Sequence, residues 1–97
     1  MKVYVVAVIY HFDVTRTTDE VRTFVDKDKA EEEFQNQVDL YHGYGWLNNT
    51  ERDILTPEDE NGLVKQRGFI AGEGDDVGTF HKGDKGEVVM YVTNIIQ

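Results

Sequence analysis

The residue types that could do chemistry in this 97-residue chain are three histidines and a large number of acids. His11, His42 and His81 do not follow the H-x-H, H-x-x-H or HExxH spacings that bring two imidazoles to one metal ion. The chain contains neither Ser nor Cys, so the usual hydroxyl and thiol nucleophiles are missing. We therefore predict a protein that is not an enzyme and that has no metal site and no cofactor.

The glycine- and acid-rich stretch at residues 72–78 does not change this prediction. It lacks the D-x-[DN]-x-[DN]-G ladder and the terminal bidentate Glu of a calcium loop. No GK[ST] follows its glycines, and its acids would repel phosphate, so it does not resemble a phosphate-binding loop. We interpret it as an acidic turn.

The acids are distributed unevenly along the chain. The net charge is −9, and residues 26–62 carry eleven acids against Lys27, Lys29 and Arg52, which gives this segment a net charge of −8. Such a surface repels nucleic acid, whose binding depends on cation-to-phosphate contacts, and attracts a basic protein. The alternative that it only keeps the protein in solution stays open. The acids that we assign to a partner-binding face are Asp28, Glu31, Glu32, Glu33, Glu51, Asp53, Glu58, Asp59 and Glu60.

The segment DLYHGYGWLNNTE, residues 39–51, alternates aromatic side chains with glycines. Tyr41, Tyr44 and Trp46 could form an aromatic surface around a pocket for a small molecule or a peptide. The same segment could instead pack as a lid on the domain's own core, or form the interface of a homodimer. The lid would consist of Tyr44, Trp46, Leu47, Ile54 and Leu55.

The hydrophobic pattern predicts one main helix on a largely antiparallel sheet. Asp26 is a good N-cap and Gly43 can end a helix in the left-handed conformation, so we predict a helix over about residues 26–42. Its apolar stripe consists of Ala30, Phe34, Val38 and Tyr41. Strands are expected at residues 2–12, 20–25, 63–71, 79–81 and 87–97, with a short helical turn at 56–59. The order β-β-α-β-β-β indicates an α+β fold, with residues 1–97 in a single domain.

The first and last strands are apolar on both faces, which raises a question about packing. One amphipathic helix covers only one face of a sheet, so something else must cover the other face. The alternatives are the aromatic segment at 44–55, strong curvature of the sheet, and a second copy of the protein.

No segment approaches the roughly 20 apolar residues that are needed to span a bilayer. The apolar run at the start of the chain is short, rich in β-branched and aromatic residues, and lacks a small-residue cleavage site. We therefore interpret it as a strand and expect a cytoplasmic protein.

The stretch from the second strand into the helix, VRTFVDKDKAEEEF, resembles small acidic uncharacterised proteins of bacteria and phages. Those proteins open with a hairpin and continue into an "F-x-D/S-K-x-x-A" helix, and the matching residues are Phe24, Asp26, Lys27 and Ala30. The resemblance covers about a third of the chain and implies an α+β fold. Small acidic proteins of this kind include anti-CRISPR and anti-restriction inhibitors that imitate the charge of nucleic acid.

These observations favour a small acidic binding protein that docks on a basic protein partner, such as a nucleic-acid-handling enzyme. We expect no direct binding of nucleic acid and no association with a membrane. Two alternatives stay open. One is a module that binds a small molecule or a peptide through the aromatic residues at 41–47, and the other is a homodimeric structural accessory protein.

Overall fold

A computed structural model describes residues 1–12, 15–54, 62–74 and 77–95, and it has an α+β fold. The elements are β1 (Lys2–Phe12), β2 (Thr15–Phe24), α1 (Lys27–Gly43), β3 (Trp46–Asp53), β4 (Gly62–Ala71) and β5 (Lys85–Asn94). The strands form one sheet in the order β2-β1-β5-β4-β3, and each neighbouring pair is antiparallel. The predicted order of one helix between two and three strands is confirmed, and α1 packs on this sheet.

The identity of the third strand differs from the prediction. Residues 46–53 form β3, where the sequence predicts no strand. The segment contains two asparagines and an aspartate, which are depleted in strands. Pairing with β4 overrides that weak propensity: Trp46 lies opposite Ala71 and Leu47 opposite Ile70. Residues 79–81, predicted as a short strand, are not part of the sheet. The predicted turn at 56–59 lies outside the described residues.

The helix begins as its sequence predicts and ends one residue later than expected. The Asp26 carboxylate caps α1 by accepting hydrogen bonds from the backbone N–H of Asp28 (2.8 Å) and of Lys29 (3.4 Å). At the other end Gly43 is still helical, and the left-handed residue is Gly45, with φ of 84°. The chain needs this turn because Trp46 starts an extended strand immediately afterwards.

One face of the sheet and the apolar stripe of α1 form the main core. The predicted stripe is confirmed, since all four of its residues are buried. Phe34 and Phe69 are among the largest side chains that are completely buried. The strand residues of this core are Tyr4, Val6, Val8, Trp46, Phe69, Ala71, Val88, Met90 and Val92.

The opposite, helix-free face of the sheet carries a second apolar cluster. Ala7, Ile9 and Val89 are buried there, and Leu63 packs against them. This face forms a groove of about 700 Å³ that is lined by residues of both edge strands, Thr18 and Val21 of β2 and Thr50 and Arg52 of β3. Two opposite edge strands can line one groove only if the sheet curves around it. This agrees with the predicted alternative in which strong curvature of the sheet covers its second face.

The predicted lid does not cover the helix-free face. Trp46 packs in the main core under α1, while Tyr44 and Leu47 are 61% and 60% exposed. Ile54 is half-buried, and Leu55 lies outside the described residues. The segment fails as a lid because β3 extends the sheet sideways instead of folding over it.

In the part of the chain that is described, no helix combines the length and the apolar character required to cross a bilayer.

Candidate functional site

The three consecutive glutamates of α1 point in three directions, because successive helical residues are about 100° apart. Glu31 turns towards β4, where its Oε2 lies 3.0 Å from Nζ of Lys65. Glu33 turns towards β2, where its Oε1 lies 4.0 Å from Nε of Arg22. Only Glu32 is fully exposed. Glu31 and Glu33, which are predicted for the partner-binding face, therefore also help to hold the helix on the sheet, and the Glu31 side chain remains 41% exposed.

Asp28, Glu32 and Asp39 form a line of exposed carboxylates along the outer side of α1, which we call the acidic ridge. None of the ion pairs among the side chains that the structure describes includes any of these three carboxylates. Asp39 accepts a hydrogen bond of 2.9 Å from the amide of Gln35, one turn earlier. Sequence analysis missed Asp39 because it stands apart from the glutamate run. The spacing i, i+4 and i+11 from Asp28 is the helical signal that could have found it.

Two other acids of the predicted face lie on β3, away from the ridge. Arg67 of β4 makes ion pairs with Asp53 (Nη2 to Oδ1, 3.1 Å) and with Glu51 (Nε to Oε1, 4.0 Å). Glu51 also accepts a hydrogen bond of 2.8 Å from the amide of Asn48. Their charges are therefore partly balanced within the sheet. The remaining predicted acids, Glu58, Asp59 and Glu60, lie outside the described residues.

Two of the three predicted surface aromatics are core residues. Tyr41 and Trp46 are each 3% exposed, and only Tyr44 lies on the surface. The Tyr41 ring stacks on Phe69 with centroids 4.5 Å apart and an interplanar angle of 10°. Trp46 packs edge-on against Tyr41 at 5.0 Å and against Phe80 at 5.2 Å. An aromatic binding surface that needs Trp46 to be exposed is therefore wrong, since its ring fills the core at the start of β3.

A small cavity of about 200 Å³ lies where the C-terminal half of α1 meets β1 and β2, and we call it the tyrosine pocket. Glu20 supplies its one carboxylate. The amide of Gln37 donates hydrogen bonds to Oε2 of Glu20 (3.3 Å) and to Oε1 of Glu33 (2.7 Å). The lining residues are Val8, Tyr10, Glu20, Gln37, Leu40, Tyr41 and Tyr44.

The carboxylates beside this pocket act on Arg22, which lies on β2 two residues after Glu20. Its Nε donates a hydrogen bond to Oε1 of Glu20. That hydrogen bond, and then the negative charges of Glu20 and Glu33, raise the pKa of Arg22 above its ordinary value. Arg22 is exposed, so the effect indicates a local negative potential and not a stabilising buried pair.

The histidines lie on separate parts of the molecule. His11 Nε2 is 3.6 Å from Oε2 of Glu87, and His42 Nε2 is 2.6 Å from Oδ1 of Asn48. His81 is exposed in the connection between β4 and β5. Among the described residues, no three His, Asp or Glu side chains are placed to hold a metal ion together.

Comparison of the chain with protein-family models, with curated proteins and with solved structures finds no match. The resemblance to small acidic bacterial and phage proteins therefore stays a prediction, and function has to be argued from the geometry above.

Proposed function

We propose that this protein is a small, non-catalytic binding protein whose acidic ridge docks on the basic surface of a protein partner. It would act as an inhibitor or modulator of a nucleic-acid-handling enzyme in the cytoplasm, in the manner of anti-CRISPR and anti-restriction proteins. The observation that carries this proposal is that Asp28, Glu32 and Asp39 lie exposed along one side of a helix and take part in none of the ion pairs among the described side chains.

The positions of these acids have a cost that a cationic partner would offset. Asp28 and Glu32 are like charges at i, i+4, which destabilises a helix by about 0.2–0.5 kcal/mol. The helix dipole does not add to this cost, because Asp28 lies in the first turn of α1, where an anion is favoured. Glu31 and Glu33, by contrast, are each paired with a cation of the sheet. The pairing of Glu31 and Glu33 with the sheet thus fixes the position of α1, while the carboxylates of the ridge stay accessible to a partner.

The charge density of the ridge favours a basic protein surface over close imitation of DNA. From residue 28 to residue 39 the helix rises about 16 Å, at roughly 1.5 Å per residue. Three carboxylates over this length are sparse beside a DNA strand, which carries one charge per about 3.4 Å of axis. Such a ridge would speed association with a basic partner and would make the rate depend on salt.

The experiment that tests the proposal begins with capture from host lysate at low and high salt and identification of any stoichiometric partner. Association rates are then measured for the purified pair with the triple variant Asp28→Asn, Glu32→Gln, Asp39→Asn. We expect association at low salt to slow by on the order of tenfold and its salt dependence to flatten. The matched control is Glu51→Gln with Asp53→Asn, on β3. Equal on-rates for the ridge variant and the unmodified protein would overturn the proposal.

The groove on the helix-free face favours a second candidate, and we propose that a second copy of this chain occupies it. Val21 and Tyr91 are apolar residues of its lining that remain 54% and 37% exposed. Its lining includes one cation, Arg52, and one anion, Glu87, so the lining of the groove carries no net charge in a chain of −9. Two copies meeting here would keep their acidic ridges on opposite outer sides, so mutual repulsion would be smallest.

A further inference from the structure

We propose that the tyrosine pocket is a binding site for an organic cation of the kind that a Lys or Arg side chain carries, an ammonium or guanidinium on an aliphatic stem. This deepens the docking proposal and rests on it only in assigning the cation to a basic protein partner. The pocket lies on the flank of α1 that faces β2, whereas the acidic ridge runs along its outer side.

The size of the pocket selects a side chain and not a large ligand. Its volume of about 200 Å³ is below the roughly 300–1,000 Å³ that is usual for sites of drug-sized molecules. At about 30 Å³ per water it holds some six waters, which is room for an alkylammonium group. Leu40 and Val8 offer apolar contacts to the stem of such a group.

The electrostatics of the pocket select a cation. Glu20 is the one side chain of the lining that is charged at neutral pH. Tyr10 and Tyr44 line the same space, and tyrosine rings attract cations through their negatively charged faces. Glu33 lies just outside, within hydrogen-bond reach of Gln37. Arg22 pairs with both Glu20 and Glu33, so these two carboxylates and one guanidinium leave a net charge of −1 beside the pocket.

One oxygen of Glu20 is held only weakly, and a ligand could take it over. Oε1 accepts from Arg22, whereas Oε2 accepts from the neutral amide of Gln37 at 3.3 Å. That distance is long for an N–H···O hydrogen bond. A charged N–H donor would bind Oε2 more strongly than the amide does. Gln37 would keep its shorter bond of 2.7 Å to Glu33, so its displacement leaves no amide without an acceptor.

The pocket adjoins the ridge, so a partner could use both. Leu40 and Tyr44 line the tyrosine pocket and also a shallower depression that includes Asp39 of the ridge. A basic side chain inserted behind Tyr44 would therefore belong to a partner whose other cations face Asp39. Insertion of one anchoring side chain into a pocket is how many interfaces concentrate their binding energy.

The test is an NMR titration of the ¹⁵N-labelled full chain with n-butylammonium, with n-butanol as the neutral control. We expect saturable shifts at Tyr10, Gln37, Leu40 and Tyr44, with a Kd in about the millimolar range that is typical of so small a ligand, and no saturation with butanol. Glu20→Gln should weaken binding by on the order of tenfold, and Tyr44→Ala should weaken it in the same direction. Glu51→Gln, which removes the same charge from β3 at the other edge of the sheet, should leave it unchanged.

Three outcomes would overturn the inference. The first is no saturable shift with the cation. The second is an equal loss of binding with Glu20→Gln and with Glu51→Gln, which would mean diffuse attraction to an acidic protein. The third is failure of N-acetyl-lysine N-methylamide, a lysine side chain on a blocked backbone, to bind as butylammonium does. That failure would assign the pocket to a free amine and not to the side chain of a protein partner. None of these outcomes depends on the ridge variants, so this inference and the docking proposal can fail separately.

Discussion

Lys65 of β4 lies between an anion and an aromatic ring of α1, with its Nζ 3.0 Å from Oε2 of Glu31 and 5.0 Å from the centroid of Phe34. The Lys65–Glu31 contact joins residues 34 positions apart in the sequence and fixes the helix against the far side of the sheet. The Lys65 side chain is 20% exposed and that of Glu31 is 41% exposed, so solvent screens the pair. The pair therefore stabilises the fold only modestly, and the assignment of Glu31 to a partner-binding face stays a prediction.

Substitutions of Lys65 should separate the ion pair from the packing of the lysine stem. Lys65→Met keeps an unbranched stem over Phe34, and we expect it to lower the free energy of unfolding by no more than about 0.5 kcal/mol. Lys65→Ala removes the stem as well and should lower the free energy of unfolding by about 1–2 kcal/mol. Urea unfolding followed by circular dichroism measures both, with Lys82→Ala in an exposed turn as the control. Equal losses for Met and Ala would show that charge, not packing, dominates.

Gly86 is required by the position of the Tyr41 ring. A Cβ built at Gly86 would lie 2.9 Å from Cζ of Tyr41 and would overlap its hydroxyl group. Tyr41 cannot move aside, because its ring stacks on Phe69. We therefore expect Gly86→Ala to lower the free energy of unfolding by about 1–3 kcal/mol, the cost of overpacking a core.

A double-mutant cycle tests this cause directly. Adding Tyr41→Phe removes the hydroxyl group that the new methyl would meet. The free energy of unfolding of the double variant should therefore fall by less than the sum of the two single losses. Gly43→Ala is the matched control, since nothing lies within 4 Å of a Cβ there and the residue is helical. The free energy of unfolding of that control should rise by about 0.5–1 kcal/mol. Additive losses in the cycle would exclude the proposed clash.

Trp46 provides a spectroscopic test of the core, since it is the one tryptophan of the chain. Its ring is 3% exposed and is packed among Tyr10, Tyr41 and Phe80. We expect blue-shifted emission and strong protection from acrylamide, a neutral quencher that the net charge of −9 does not repel. Quenching as efficient as in urea-unfolded protein would return Trp46 to the surface and revive the aromatic binding site.

The helix could be predicted closely because its signals are local. Asp26 caps the first turn through its own side chain, and the spacing of Ala30 and Phe34 assigns the buried face without knowledge of the sheet. The strand β3 could not be predicted in the same way. Its residues after Trp46 are exposed and, apart from Leu47, polar, and its extended conformation comes from pairing with β4.

The candidate site shows the same division between local and distant signals. The helical period identifies Glu32 as exposed, but the pairing of Glu31 with Lys65 depends on where β4 lies. The tyrosine pocket combines residues as far apart as Tyr10 and Tyr44, so no spacing along the chain indicates it. Glu20 lies at the start of the predicted strand 20–25, and only the fold of the helix onto the sheet brings it beside Gln37.

Self-association through the groove predicts a concentration-dependent mass. The lining of the groove carries no net charge and includes the exposed side chains of Val21 and Tyr91, so sedimentation equilibrium from micromolar to millimolar concentrations should show a monomer–dimer transition. Val21→Asp places a charge at an exposed position of this face and should raise the dissociation constant by at least about tenfold. Leu40→Asp, an equally exposed apolar residue on α1, should leave it unchanged. A monomer at every concentration would exclude the dimer, and uptake of an apolar dye by that monomer would assign the groove to a small hydrophobic ligand instead.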